Sequence, residues 1–129
     1  EAQAAPRGVD GGRATRIRSH VETRAQTCER WLPLWRVVTF NQARLADLRK
    51  RLQVMRQVVA ARIQLMYGPE LATLSDVERR ELMIVLESLI DFESWGRMRE
   101  HHGLGVEQAC AVWVSAIDRL LPPTPASAG

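Results

Sequence analysis

The segment from Leu82 to Leu121 constrains the fold of this chain more than any other. It contains two apolar, helix-like stretches separated by the break at Gly103-Leu104-Gly105. The first stretch is apolar over more than one stripe, and a helix that is hydrophobic over most of its circumference must be covered on two sides. In a chain of 129 residues, we expect the second side to be covered by another copy of the chain. The pattern predicts a helical dimer built for interaction.

Apolar residues recur at three-, four- and seven-residue steps along most of the chain, and no strand-like alternation is present. Pro33 predicts a kink or a break in the first helical segment because proline lacks the amide hydrogen and clashes with the preceding turn. Residues 1–12 predict a flexible lead-in and residues 122–129 a disordered tail, which leaves 13–121 as one helical domain. The predicted segments are about 13–40, 43–66, 75–102 and 106–121.

Local signals fix several helix ends. Ser75 and Glu78 have the spacing of a capping box, in which each side chain bonds the other residue's backbone N–H. Gly103 is expected to end the third helix, and Gly68, followed by Pro69, is predicted to cap the second helix in the left-handed conformation. The second segment carries one apolar stripe, so we expect it to pack on one side only.

Composition narrows the class of protein. The apolar fraction of 46% is typical of a globular domain, and no apolar run is long enough to span a membrane, so we expect a cytoplasmic protein that does not bind membranes. The two cysteines, Cys28 and Cys110, have no metal-type spacing and are interpreted as buried, reduced thiols. The net charge is only +3 and the basic residues form no dense stripe, which argues against direct nucleic-acid binding.

The sequence lacks the patterns that accompany catalysis. It has no Gly-rich phosphate loop, no nucleophile elbow and no Cys/His dyad, so we expect no enzyme activity and no cofactor. His101 and His102 are adjacent, and neighbouring helix residues point about 100° apart, so the pair is interpreted as helix-end histidines with no metal site. Asp91 lies between two apolar residues and is expected to be partly buried.

Aromatic and methionine side chains are the remaining candidates for function. Large aromatics and flexible thioethers between helices can line an apolar pocket for a small molecule, although a packed core is the commoner use of each residue. The candidate pocket residues are Trp31, Trp35, Phe40, Met55, Met66, Tyr67, Phe92 and Trp95.

From about residue 16 to residue 121 the chain resembles the C-terminal domain of tetracycline-repressor (TetR) family transcriptional regulators. No single motif is decisive, but the order and spacing of the set are fairly specific. Gly105 departs from the pattern, since similar regulators often carry a serine cap there, and glycine is a tolerable cap. The motifs are at 31–36 (WLPLWR), 45–52 (LADLRKRL), 69–71 (PEL), 95–99 (WGRMR), 103–109 (GLGVEQA) and 117–121 (IDRLL).

The resemblance implies a homodimer in which the last two long helices form a four-helix interface. It also implies a small apolar or aromatic effector whose binding changes DNA affinity, with repression as the expected outcome. DNA would be contacted only through an N-terminal helix-turn-helix domain, which the sequence does not contain. The residues expected at the dimer interface are Leu82, Leu86, Leu89, Trp113, Ile117 and Leu120.

Two other classes of protein compete with this interpretation. A stand-alone helical protein–protein interaction module would have a filled core and no small ligand. A small helical enzyme or metal-binding bundle would need clustered carboxylates or metal ligands, which the sequence does not supply. The sequence leaves open the effector, the operator, and whether the regulator represses or activates.

Overall fold

The computed structural model describes the backbone of residues 8–40 and 45–126, and the side chains of residues 8–40 and 50–126. Within these ranges the protein is all-α and contains no strand, which confirms the all-helical part of the predicted fold. The expectations for residues 1–7 and 127–129 lie outside the described residues. The helices are α1 (Arg13–Phe40), α2 (Leu45–Met66), α3 (Gly68–Leu71), α4 (Asp76–Leu89), α5 (Phe92–Gly96), which continues into a π-helical turn (Arg97–His101), and α6 (Val106–Leu120).

Helix α1 is a single helix that includes Pro33. Its buried apolar residues follow three- and four-residue steps and form one stripe toward the core, while Pro33 is exposed. The helix is therefore not broken at Pro33, and the predicted kink stays a prediction. The stripe consists of Ile17, Val21, Ala25, Cys28 and Leu32.

The expectation of one long helix over 75–102 is wrong, because the chain breaks between α4 and α5. Asp91 has an extended backbone (φ −78°, ψ 170°), and its side chain accepts a hydrogen bond from the Ser94 N–H at 2.7 Å. An aspartate that bonds a backbone N–H three residues ahead starts a new helix rather than continuing the old one. Asp91 is exposed, contrary to the expectation of partial burial.

The break accounts for much of the apolar excess in this segment. Phe92, Trp95 and Met98 are buried in the core of their own chain, because α5 is a separate helix that packs against α1. Exposed apolar side chains persist on α4, where Ile84 is 61% and Val85 is 44% exposed. Within the predicted helix 75–102, α4 is therefore the part whose second apolar side still needs to be covered by another surface.

Helices α1 and α6 lie side by side and run antiparallel. Arg13, at the start of α1, bonds Asp118, near the end of α6, with 2.9 Å between Nε and Oδ1. At the other end, Arg99, which precedes α6, bonds the Glu29 carboxylate of α1 at 2.7 Å. The pair is anchored on the core through Trp113 of α6, whose ring centroid is 5.0 Å from that of Trp95.

Two of the three predicted helix-end signals are confirmed. The Glu78 N–H donates to Ser75 Oγ at 3.1 Å and the Ser75 N–H donates to Glu78 Oε1 at 3.0 Å, which is the predicted capping box. Gly103 has a φ of +66° and ends the π-helical turn region as expected. Gly68 does not have a positive φ, and it opens the short helix α3 together with Pro69. The prediction of a left-handed cap at Gly68 is therefore wrong.

The described parts of the predicted lead-in and tail are bound to the domain. Val9 packs against the core, and the Gly11 carbonyl accepts a hydrogen bond from Arg16 at 2.9 Å. At the other end, Pro122 O accepts from Arg13 at 2.6 Å, and Thr124 donates to the Glu70 carboxylate. Residues 8–12 and 122–126 thus form part of the fold.

Candidate functional site

The eight candidate pocket residues do not meet around one cavity. Met66, Tyr67, Phe92 and Trp95 are buried, because they pack against other core side chains. Trp35 is half-buried and stacks on Phe92, with 5.1 Å between ring centroids. The remaining three, Trp31, Phe40 and Met55, are exposed by 44%, 88% and 39%. None of the eight lines either of the two surface depressions described below.

The six predicted interface residues divide into two groups. Leu86, Trp113 and Ile117 are at most 1% exposed, so their own chain already covers them and they are not available to a partner. This corrects their assignment to the interface. Leu82 and Leu89 are half-buried and Leu120 is 39% exposed, which leaves these three accessible.

A cleft between α4 and the C-terminal end of α6, called the α4–α6 cleft below, contains two of the accessible leucines. Its volume is about 310 Å³, and it contains Leu82 and Val85 from α4 together with Leu120 from α6. Two carboxylates lie at its edge, Glu78 and Glu81. The cleft is therefore a small apolar depression with an acidic margin. The full lining is Leu74, Glu78, Glu81, Leu82, Val85, Leu120 and Pro122.

A larger depression, the α1–α6 groove, runs along the antiparallel pair of helices. Its volume is about 1120 Å³, and it opens to solvent along its length. Small and apolar side chains make up most of the lining, which also contains four carboxylates and two guanidinium groups. Two of the carboxylates, Glu29 and Asp118, form ion pairs with Arg99 and Arg13. It is lined by Ala14, Ile17, Arg18, Glu22, Ala25, Gln26, Glu29 and Arg30 of α1 and by Val106, Glu107, Cys110, Ala111, Val114, Ser115 and Asp118 of α6.

One carboxylate of the groove is held by neighbours. Glu29 accepts hydrogen bonds from Arg99 Nε at 2.7 Å and from Trp95 Nε1 at 2.6 Å. The bond from Arg99, with the further help of Trp95, lowers the pKa of Glu29 in spite of its partial burial. A lowered pKa keeps this carboxylate ionised, and the guanidinium of Arg99 offsets its negative charge.

Helix α2 carries a second apolar stripe that the sequence analysis did not predict. Ile63 and Met66 are buried on the predicted side, whereas Val54 and Val58 are each 57% exposed and Leu65 is 49% exposed. These three residues and Ala61 are spaced by four, three and four residues, so they share one face of the helix. We call Val54, Val58, Ala61 and Leu65 the α2 outer stripe; this spacing was the signal available in the sequence.

A buried polar cluster ties α1 to α3. Arg16 and Glu70 form a bidentate ion pair, and His20 Nδ1 lies 2.8 Å from the Tyr67 hydroxyl oxygen. Burial acts to raise the pKa of Glu70, but the hydrogen bonds from Arg16 and Thr124 outweigh it and bring the pKa to about 2. Every buried polar side-chain atom among the described residues has a hydrogen-bond partner. A fully satisfied cluster of this kind holds elements together and offers no free group to a substrate.

Neither cysteine is activated for chemistry. Cys28 is buried, and burial raises the pKa of its thiol to about 11. The pKa of Cys110 is also raised, first by burial and then by the nearby carboxylate of Glu22. Because the thiolate is the reactive form, both groups are weak nucleophiles near neutral pH. The two thiols are free, as the sequence predicted, although Cys110 is only half-buried.

The described residues contain no group of three or more His, Cys, Asp or Glu side chains arranged to hold a metal ion. No helix in the same ranges is both long and apolar enough to cross a bilayer. His101 and His102 are exposed at the end of the π-helical turn, and Arg99 in that turn directs its guanidinium to Glu29 and to the Leu104 carbonyl.

Comparison of the chain with protein-family models, with curated proteins and with solved structures finds no match. The similarity to the C-terminal domain of TetR-family regulators therefore stays a prediction that rests on the motifs quoted above.

Proposed function

We propose that this chain is a homodimerising helical domain of a TetR-like transcriptional regulator, with the α4–α6 cleft at the centre of the dimer contact. The observation that supports this proposal is the exposure of Val85 and Leu120, by 44% and 39%, on two neighbouring helices around one apolar depression. Apolar side chains in a shared depression gain free energy when a second surface excludes water from them.

A two-fold contact suits this cleft. In such an interface the same patch serves on both subunits, so α4 and α6 of one copy would pack on α4 and α6 of its partner as four helices. The accessible residues Leu82, Leu89 and Leu120 would contribute to the contact, together with Val85, which the sequence analysis did not include. Leu86, Trp113 and Ile117 support the contact from beneath, as part of each subunit's own core.

The oligomeric state tests this proposal directly. Light scattering over a concentration series at high salt, which screens contacts between exposed charges, should give the mass of a dimer for the natural chain and of a monomer for Val85→Asp. Val77→Asp is the matched control, because Val77 is a 56% exposed valine on the same helix that does not line the cleft. A natural chain that stays monomeric, or a Val85→Asp variant that dimerises like the natural chain, would contradict the proposal.

The effector-sensing part of the proposal rests on the resemblance. A small apolar molecule would favour one helix arrangement and so change the spacing of two attached DNA-binding domains. Trp95 and Trp113 are packed against each other in the core, so their fluorescence should report a change in helix packing. We expect saturable fluorescence changes and thermal shifts with some members of a panel of apolar ligands. If no ligand of the panel gives either response, the effector-sensing part of the proposal is wrong.

One observation favours the second candidate, a helical interaction module without a small ligand. The buried members of the aromatic set, including Tyr67, Phe92 and Trp95, belong to the packed core and do not line a depression of ligand size. A filled core is what this class of protein predicts. The ligand panel distinguishes the two candidates, because dimerisation is common to both.

A further inference from the structure

The α2 outer stripe has the spacing of a helix-packing seam. Steps of four, three and four residues keep its four members on one side of the helix, as in the apolar seam between paired helices. Val54, Val58 and Leu65 are about half exposed or more, so this side of α2 is uncovered in the single chain. The stripe therefore offers a ready contact for a second helical surface.

Charge restricts what can cover the stripe. Residues 50–66 contain four basic residues and no acidic one, and the cations at Lys50, Arg51 and Arg62 lie beside the stripe on the helical wheel. Two α2 stripes packed against each other would bring these like charges together, which is unfavourable. The stripe requires a partner surface that is apolar along its centre and acidic at its margins.

The α1–α6 groove has those two properties. Its lining is mostly small and apolar, and Glu22 and Glu107 supply carboxylates that lie outside the ion pairs of Glu29 with Arg99 and of Asp118 with Arg13. The lengths also agree: the stripe spans about 17 Å from Val54 to Leu65, and the α6 wall of the groove spans about 18 Å from Val106 to Asp118, at 1.5 Å per residue. No residue of α2 from position 50 onward, where its side chains are described, lines the groove of its own chain.

We propose that the α2 outer stripe of one copy docks into the α1–α6 groove of a second copy of this chain. Val54, Val58 and Leu65 enter between the two helices of the groove, over small residues such as Ala25 and Ala111. Lys50, Arg51 and Arg62 then lie near the carboxylates at its margins. This contact joins two different patches and is separate from the two-fold contact proposed at the α4–α6 cleft.

Because the two patches differ, the contact is head-to-tail. Each chain retains an unused stripe or groove unless the pair exchanges both contacts, so association extends beyond the dimer formed at the α4–α6 cleft. The charges at the margin are exposed to solvent, and salt screens such interactions. Association through this contact should therefore weaken as the salt concentration rises.

Sedimentation velocity in the Val85→Asp background isolates this contact from the α4–α6 cleft. In that background we expect concentration-dependent association at low salt, which is lost on adding Val58→Glu in the stripe or Ala111→Arg in the groove. Gln53→Glu and Thr23→Arg are the matched controls, because they place the same charges at exposed positions of α2 and α1 outside the stripe and the groove. Both controls should associate like the parent.

Mixing the two deficient variants provides the decisive test. The Val58→Glu chain keeps an intact groove and the Ala111→Arg chain keeps an intact stripe, so an equimolar mixture should recover association, whereas each variant alone should not. Failure of the mixture to recover overturns the head-to-tail contact, as does unchanged association of either variant alone.

Loss of binding to phosphatidylglycerol vesicles on Val58→Glu, with no self-association of the parent, would assign the stripe to an anionic lipid surface and overturn the proposal. Circular dichroism of every variant excludes unfolding as the cause.

Discussion

The carboxylate of Glu70 and the guanidinium of Arg16 form two parallel hydrogen bonds, each 2.8 Å long, in a region where Arg16 is 4% and Glu70 0% exposed. Arg16 also donates to the carbonyl oxygens of Met66, at 2.8 Å, and of Gly11, at 2.9 Å. This ion pair therefore joins α1, the end of α2 and α3 at one buried point.

Glu70→Gln should destabilise the domain strongly. The substitution leaves the buried guanidinium of Arg16 without its counter-charge, and breaking a buried pair by removing one partner costs roughly 3–5 kcal/mol. Urea unfolding gives the change in the free energy of unfolding. Asp76→Asn is the surface control, because the Asp76–Arg79 pair is exposed and such pairs contribute about 0–1 kcal/mol. A loss for Glu70→Gln no larger than that of the control would refute this role.

His20 should make the domain less stable in mild acid. Burial lowers the pKa of His20 to about 4, with help from the charges of Arg24 and Arg62, whereas an unperturbed histidine titrates near 6.5. Between these values the unfolded chain binds a proton that the folded chain does not, so the free energy of unfolding falls as pH drops from 6.5 toward 4. His20→Gln should flatten this part of the profile. An equally steep decline in the variant would assign the acid sensitivity to other groups.

Alanine should destabilise the domain more at Gly103 than at Gly68. Gly103 has a φ of +66°, a conformation that costs a residue with a Cβ about 1–2 kcal/mol. Gly68 has no positive φ, and the Cβ of an alanine there would meet no atom within 4 Å beyond its chain neighbours and its own helix backbone. The following Pro69 disfavours a Cβ-bearing residue in helical conformation, so Gly68→Ala should have a small cost, below that of Gly103→Ala. Thermal and chemical unfolding of both variants compares them. Equal losses at the two sites would show that the conformation of Gly103 is not the cause.

The two thiols should differ in accessibility. Cys110 lines the α1–α6 groove and is half-buried, while Cys28 is 0% exposed. In the folded protein an alkylating reagent should label Cys110 slowly, because its pKa is raised, and Cys28 only after unfolding. Mass spectrometry of tryptic peptides measures both rates, with Cys110→Ser as the control. Labelling of Cys28 as fast as Cys110 in the native protein would contradict the described packing.

The sequence predicted features that depend on neighbours along the chain. The Ser75–Glu78 capping box and the end of a helix at Gly103 arise from short-range spacing, and both are present. The break at Asp91 also had a local signal, because aspartate is a common helix N-cap. Its side chain accepts a hydrogen bond from the backbone N–H of Ser94, three residues ahead. The strong apolar pattern on both sides of Asp91 masked that signal.

Features that depend on tertiary packing were less predictable. Leu86 and Ile84 are both apolar residues of α4, yet one is 1% and the other 61% exposed, and only the arrangement of the neighbouring helices distinguishes them. The aromatic residues followed the same rule, since Trp95 is buried and Trp31 is not. The α1–α6 groove joins residues about a hundred positions apart, as in the contact of Arg13 with Asp118, so no local pattern indicates it.

The contacts of Arg13 determine how the domain would respond to a mechanical load. Its guanidinium bonds Asp118, the Leu121 carbonyl and the Pro122 carbonyl, so the start of α1 and the end of α6 are held at the same point. A force that pulls these two ends apart acts across the antiparallel helices and not along them. It would load the Arg13 contacts first and then separate α1 from α6 progressively, toward the second ion pair between Arg99 and Glu29.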